Sequence, residues 1–179
     1  VIAITGASGS NFAVNFITKC PNEKFLVASK WGKRVVHEEL GLKFEELESM
    51  VDNTYSDSDL ASPFASGSNY FDSLVIVPCS VSTLNKIASG ISDTLITRMA
   101  QVALKERRKL VIALRETPLD SITLENALKL SKAGAIIAPV SPGLYLEETS
   151  IADLADTFSD KLLSLVGVHK ENGWKNEDI

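Results

Sequence analysis

Five near-continuous apolar runs punctuate the chain, at residues 1–5, 25–29, 74–77, 110–114 and 135–138. They are rich in Val and Ile and lack apolar/polar alternation, the pattern of parallel strands covered on both faces. The segments between them carry helical spacing and readable caps. The clearest helix spans residues 150–166, where Ile151, Leu154, Ala155, Phe158, Leu162 and Leu165 form one apolar stripe behind a Ser150 cap. A second covers 123–133, opened by Thr123 and closed by Gly134. A third, over 93–107, turns Leu95, Ile96, Met99, Val102 and Ala103 to one side and Arg98, Gln101, Lys105 and Arg108 to the other. This alternation predicts an α/β fold, a single doubly wound, Rossmann/flavodoxin-like parallel sheet with helices on both faces. One domain over 1–167 followed by a polar tail, 168–179, is expected. Residues 51–68, rich in Ser, Asp and Gly and poor in periodicity, read as a long excursion or lid.

Composition narrows the class. A chain of 179 residues is sized for one core that needs no staple. Eighteen Lys and Arg against 23 Asp and Glu, a net charge of −5, argue against broad nucleic-acid affinity, which calls for a basic face. Cys20 and Cys79 show no paired spacing, so neither a disulfide framework nor a zinc site is predicted, and a reducing, cytoplasmic setting is expected. The apolar runs fall well short of the ~18–20 residues that span a bilayer, so no membrane span is predicted. The opening carries no signal-peptide pattern and no initiator Met, and a few preceding residues are expected to be missing.

Candidate chemistry gathers where strands should end. After the first comes Gly6-Ala7-Ser8-Gly9-Ser10-Asn11, a turn that lets backbone donors and a helix N-terminus approach a polar or anionic ligand. It is not the dinucleotide fingerprint, because Asn11 stands where the third glycine belongs; a plain tight turn is the competing reading. Ser29-Lys30 and Pro78-Cys79-Ser80-Val81-Ser82-Thr83 follow the second and third runs, so hydroxyls line one sheet edge. Glu39 shares a helical face with Val35 and Val36 just before Gly41, where a carboxylate opposes the helix dipole. A solvated acid beside Glu38 is the alternative. His37 and His169 have no partner pattern. Arg98 and Lys105 lie two helical turns apart on one face. Arg115-Glu116, followed by Thr117-Pro118, ends the fourth strand, where charge favours a site over packing.

These elements, in this order, resemble the flavin prenyltransferase family (UbiX type) over nearly the whole chain. The residues that carry the resemblance are Gly6 to Gly9, Ser29-Lys30, Ser66-Gly67-Ser68, Pro78-Cys79-Ser80, Leu104 to Arg108, Arg115 to Pro118, Leu124-Glu125-Asn126 and Pro142-Gly143-Leu144-Tyr145. The resemblance implies binding of reduced FMN and transfer to it of a dimethylallyl group from dimethylallyl monophosphate, at flavin N5 and then C6. The prenylated FMN so formed serves a UbiD-type decarboxylase, in ubiquinone synthesis or on aromatic acids. No metal is implied, and no Asp-Asp-x-x-Asp cluster is present. Carried over by position, Gly6, Ala7, Ser8, Ser29, Ser80, Val81, Ser82, Thr83 and Arg115 are expected to contact FMN. Ser8, Glu39, Lys105 and Glu116 are the expected catalytic set, with Glu39 a desolvated carboxyl of raised pKa. Arg98, Lys105, Tyr145 and Lys161, together with Glu116, are expected at the phosphate, where charge develops. Lys161 departs from the Arg of several members and lacks its bidentate fork. Trp174 is not carried over. A homo-oligomer, a dodecamer with the site at a subunit junction, is implied. The competing readings are an FMN-dependent cysteine-type decarboxylase of the same fold and a non-catalytic flavin-delivery module.

Overall fold

In the computed structural model, residues 1–144 and 150–168 are described. Six strands, β1 (Ile2–Ile4), β2 (Phe25–Ala28), β3 (Asn53–Ser56), β4 (Ser73–Cys79), β5 (Lys109–Leu114) and β6 (Ile136–Ile137), form one sheet in the order β3-β2-β1-β4-β5-β6. Every pairing is parallel, as the unalternated apolar runs require. The helices are α1 (Ser10–Lys19), α2 (Lys30–Leu40), α3 (Phe44–Glu48), α4 (Val81–Ala88), α5 (Leu95–Lys105), α6 (Ser121–Lys132) and α7 (Ile151–Val166). Two apolar cores result. Ala3, Ile76, Leu110 and Ile112 pack against α4, α5 and α6 on one face. Ile2, Ile4, Val75 and Val111 pack against α1, α2 and α7 on the other.

The predicted helices are present, with two local corrections. The cap of α6 is Asp120, whose carboxylate accepts from the Thr123 amide at 2.7 Å; Thr123 itself is buried in the first turn. A carboxylate at that position satisfies an orphan amide and complements the helix dipole. On α7, Ser150 caps as expected, but Ile151 is 71% exposed and outside the stripe.

The predicted excursion contains β3, an edge strand paired to β2 from Phe25↔Asn53 to Ala28↔Ser56. Its polar Asn-Thr-Tyr-Ser sequence hid it, because an edge strand needs no continuous apolar run. The remainder of the segment is strapped onto α5. The Asp57 carbonyl and carboxylate accept from the Leu95 and Ile96 amides at 2.8 and 3.0 Å. Arg98 Nε donates to the Ala65 carbonyl at 2.9 Å. Phe64 sits among Phe25, Tyr55 and Phe71 at centroid distances of 5.0, 5.4 and 5.8 Å. These contacts fasten the segment to α5 and β2.

Candidate active site

The order of the sheet reverses between β1 and β4, and connections from their carboxyl ends leave on opposite faces, opening a crevice. Thr5, buried at the end of β1, ties its two sides together. Its hydroxyl donates to the Pro78 carbonyl at 2.9 Å and accepts from the Ser80 amide at 2.8 Å. Ser80 caps α4 by accepting from the Thr83 amide at 3.3 Å, with the Thr83 hydroxyl 3.0 Å away. Ser29 caps α2 by accepting from the Gly32 amide at 3.0 Å. The Arg115 amide donates to the Cys79 carbonyl at 3.0 Å, so the end of β5 joins the same edge with the Arg115 side chain exposed.

The β1–α1 turn presses closely on α2. A Cβ on Gly6 would stand 2.6 Å from the Trp31 Cβ, and one on Gly32 would stand 2.5 Å from the Ile4 carbonyl oxygen. Gly9, at φ 108°, then swings the chain into α1 and leaves its amide and that of Ser10 facing Glu39. The Glu39 carboxylate accepts from the Ser10 amide at 2.7 Å and from the Gly9 amide at 3.0 and 3.1 Å. This explains a carboxylate in the last turn of α2, the unfavourable end of its own helix: it caps the favourable end of α1. Burial is the largest single influence on Glu39 and pushes its pKa up, but the Ser8 hydroxyl and the Ser10 and Gly9 amides together hold it below the ordinary glutamate range. Glu39 is exposed in the chain, so both the desolvated site and the raised value expected from the sequence are corrected. Hydrogen bonds to the charged form outweigh desolvation.

Among the described residues, the expected phosphate set is spread over both edges and both faces of the sheet. Helix α5 descends from the carboxyl edge, so Lys105 lies roughly 15 Å along it, at the amino edge. Arg98 is midway. Lys161 is on α7, on the other face of the sheet, one residue past Asp160, which pairs with Lys19 at 2.8 Å where α1 ends. Glu116 follows Arg115 at the carboxyl edge and is exposed. Tyr145, His169 and Trp174 lie outside the described residues.

A family model, Flavoprotein, matches residues 1–165. The flavin prenyltransferase UbiX of Thermoplasma acidophilum is 46% identical over 169 residues, covering 94% of each chain. This chain belongs to the flavin prenyltransferase family. Among solved structures, AnUbiX in complex with FMN and dimethylallyl pyrophosphate superimposes with a TM-score of 0.91 at 38% identity, covering 97% of both chains. A dodecameric FMN-dependent UbiX-like decarboxylase from Escherichia coli O157:H7 gives 0.92 at 32% identity, again covering 97% of both.

For a flavin prenyltransferase the donor set at the crevice fits FMN: amides of the glycine turn other than those of Gly9 and Ser10, which Glu39 occupies, hydroxyls on three loops, and an exposed guanidinium able to fork onto a phosphate or ring oxygens. Cys79 is fully buried and burial pushes its thiol far up, so it packs as a small apolar residue under the turn. Among the described residues no group of three or more His, Cys, Asp or Glu side chains is placed to hold a metal ion, and no helix is long and apolar enough to cross a membrane. Sequence reasoning missed Thr5 and Ser10. A threonine closing an apolar strand was the available signal for Thr5; nothing local indicated that Ser10 would meet a carboxylate 29 residues away.

Proposed function

We propose that this chain is a flavin prenyltransferase that binds reduced FMN along the Gly6–Ser8, Ser29, Ser80–Thr83 and Arg115 edge and transfers to it the dimethylallyl group of dimethylallyl monophosphate. FMN supplies the nucleophilic N5 and then C6. The observation that carries the reading is the Glu39 carboxylate held by the Gly9 and Ser10 amides at the α1 N-terminus, which sets it beside Ser8 at the crevice. The ionised Glu39 serves as the terminal proton acceptor of a concerted relay: as the Ser8 hydroxyl takes a proton from the flavin side, it passes its own to the carboxylate, so no free alkoxide forms. The same contact orients Ser8. Protonation of Glu39 weakens its hold on the Gly9 and Ser10 amides, which couples the proton's arrival to the turn that lines the site.

Arg98, Lys105, Glu116, Tyr145 and Lys161 form the proposed phosphate set, whose cations offset the charge that grows as the allylic carbon–oxygen bond breaks. Since Arg98 and Lys105 lie on one face of the sheet and Lys161 on the other, a shared phosphate site requires more than one copy. This supports a homo-oligomer, in our reading a dodecamer, with the site at the subunit junction. The product would pass to a UbiD-type decarboxylase in the cytoplasm. The cysteine-decarboxylase and delivery-module readings are not favoured, since the family and the Ser8–Glu39 pair point to proton handling at a flavin.

Lys105→Ala tests the phosphate assignment. Under anaerobic turnover with reduced FMN, the variant should raise KM for dimethylallyl monophosphate by about tenfold while FMN affinity stays within about twofold. An equal loss of both would mean that Lys105 acts through the fold.

A further inference from the structure

Helix α5 ends at Lys105 in a turn that is unusual in its sequence. The Glu106 amide donates to the Val102 carbonyl at 2.9 Å and the Arg108 amide donates back to the Ala103 carbonyl at 2.8 Å. Between them Arg107 sits at φ 58°, the left-handed region that such helix ends usually give to glycine. A side chain there is strained, because its Cβ crowds the following carbonyl oxygen. The turn keeps that strain because the contacts around it over-determine it.

What it accomplishes is the aim of Arg108. Its guanidinium donates to the Gly67 carbonyl at 2.7 Å and the Asn69 carbonyl at 2.8 Å, and stands 4.6 Å from the Phe71 ring centroid and 5.2 Å from that of Tyr70. The loop so pinned is Ser66-Gly67-Ser68, which carries part of the family resemblance but has no assigned role. It is tight against α5. A Cβ on Gly67 would collide with the Glu106 carboxylate and stand 3.1 Å from Lys105 Nζ, and Lys105 itself pairs with Glu106 at 3.1 Å.

An exposed lysine–glutamate pair fixes little by itself, because two long side chains retain most of their rotamers. A wall of backbone changes that. We propose that Arg108 is a positioning residue for prenyl-phosphate binding: by pinning residues 67 and 69 beneath the α5 turn, it holds the Gly67 backbone against Lys105 and fixes where that ammonium stands. The inference rests on the phosphate role proposed for Lys105. Lysine cannot replace Arg108 fully, since it lacks the planar fork that takes two carbonyls while stacking on an aromatic ring.

The test uses FMN-loaded protein and the variants Arg108→Ala, Arg108→Lys and Gly67→Ala. Arg108→Ala should raise KM for dimethylallyl monophosphate by about tenfold with kcat and FMN affinity changed by less than about twofold, and Arg108→Lys should fall between it and wild type. Gly67→Ala leaves Arg108 in place but pushes Glu106 and Lys105 off the loop, and should produce the same selective rise in KM. An unchanged KM in folded Arg108→Ala, or FMN affinity falling as far as KM rises, overturns the proposal. Should Arg108→Ala fail to fold, an unchanged KM in Gly67→Ala overturns it instead. Wild-type protein that binds FMN but never consumes the prenyl phosphate overturns the functional reading and this inference together; wild-type turnover with insensitive variants overturns this inference alone.

Discussion

Glu39 joins local electrostatics to chemistry. Its carboxylate satisfies two orphan amides of α1 and faces the Ser8 hydroxyl, so the ionised form is favoured in the folded protein. A carboxyl whose folded pKa is depressed contributes stability above its unfolded pKa and loses that contribution as pH falls through the folded value. Glu39→Gln should therefore be less stable than wild type by about 1 kcal/mol near neutrality, and urea unfolding between about pH 6 and pH 3 should show the gap closing as the pH falls. A constant gap would contradict the clamp. In turnover the same variant should lose about 100-fold in rate with FMN still bound, because the amide cannot accept the proton that Ser8 passes on. That Glu39 mattered was legible in the sequence, as a carboxylate at the wrong end of its helix. The direction of its pKa was not, since that depends on amides 29 and 30 residues away that only the fold brings near.

At the scale of elements, the strands covered on both faces were the most legible feature, because burial on both sides writes itself as an unbroken apolar run. The edge strand β3 escaped for the converse reason. Caps were legible where the motif is local, as at Ser150, and misplaced by three residues at α6, where Asp120 and Thr123 both suit a helix start. Contacts between elements left a fainter trace. Gly32 looks like an ordinary helical glycine, yet its missing side chain is what lets α2 lie across the end of β1. Gly32→Ala should cost roughly 1–3 kcal/mol, because the Ile4 carbonyl it would strike belongs to a central strand and cannot move aside. Chemical denaturation reads this directly. A neutral or stabilising result, as expected of alanine in an open helix, would contradict the close approach.

For the whole molecule, the net charge of −5 conceals cations placed at separate edges and faces: Arg115 at the carboxyl edge, Arg98 and Lys105 down α5, and Lys161 on α7. The sequence supplied their identities through family resemblance, but not their separation, because the spacing of residues on one helix says nothing of the face of the sheet on which that helix lies. That separation is the physical ground for a site shared between copies. The central claim is nonetheless chemical and is tested most directly by mass. Purified protein incubated anaerobically with reduced FMN and dimethylallyl monophosphate should yield extracted flavin heavier than FMN by one dimethylallyl group, with inorganic phosphate released in equal amount. Flavin of unchanged mass, recovered from protein that has demonstrably bound FMN, would contradict it.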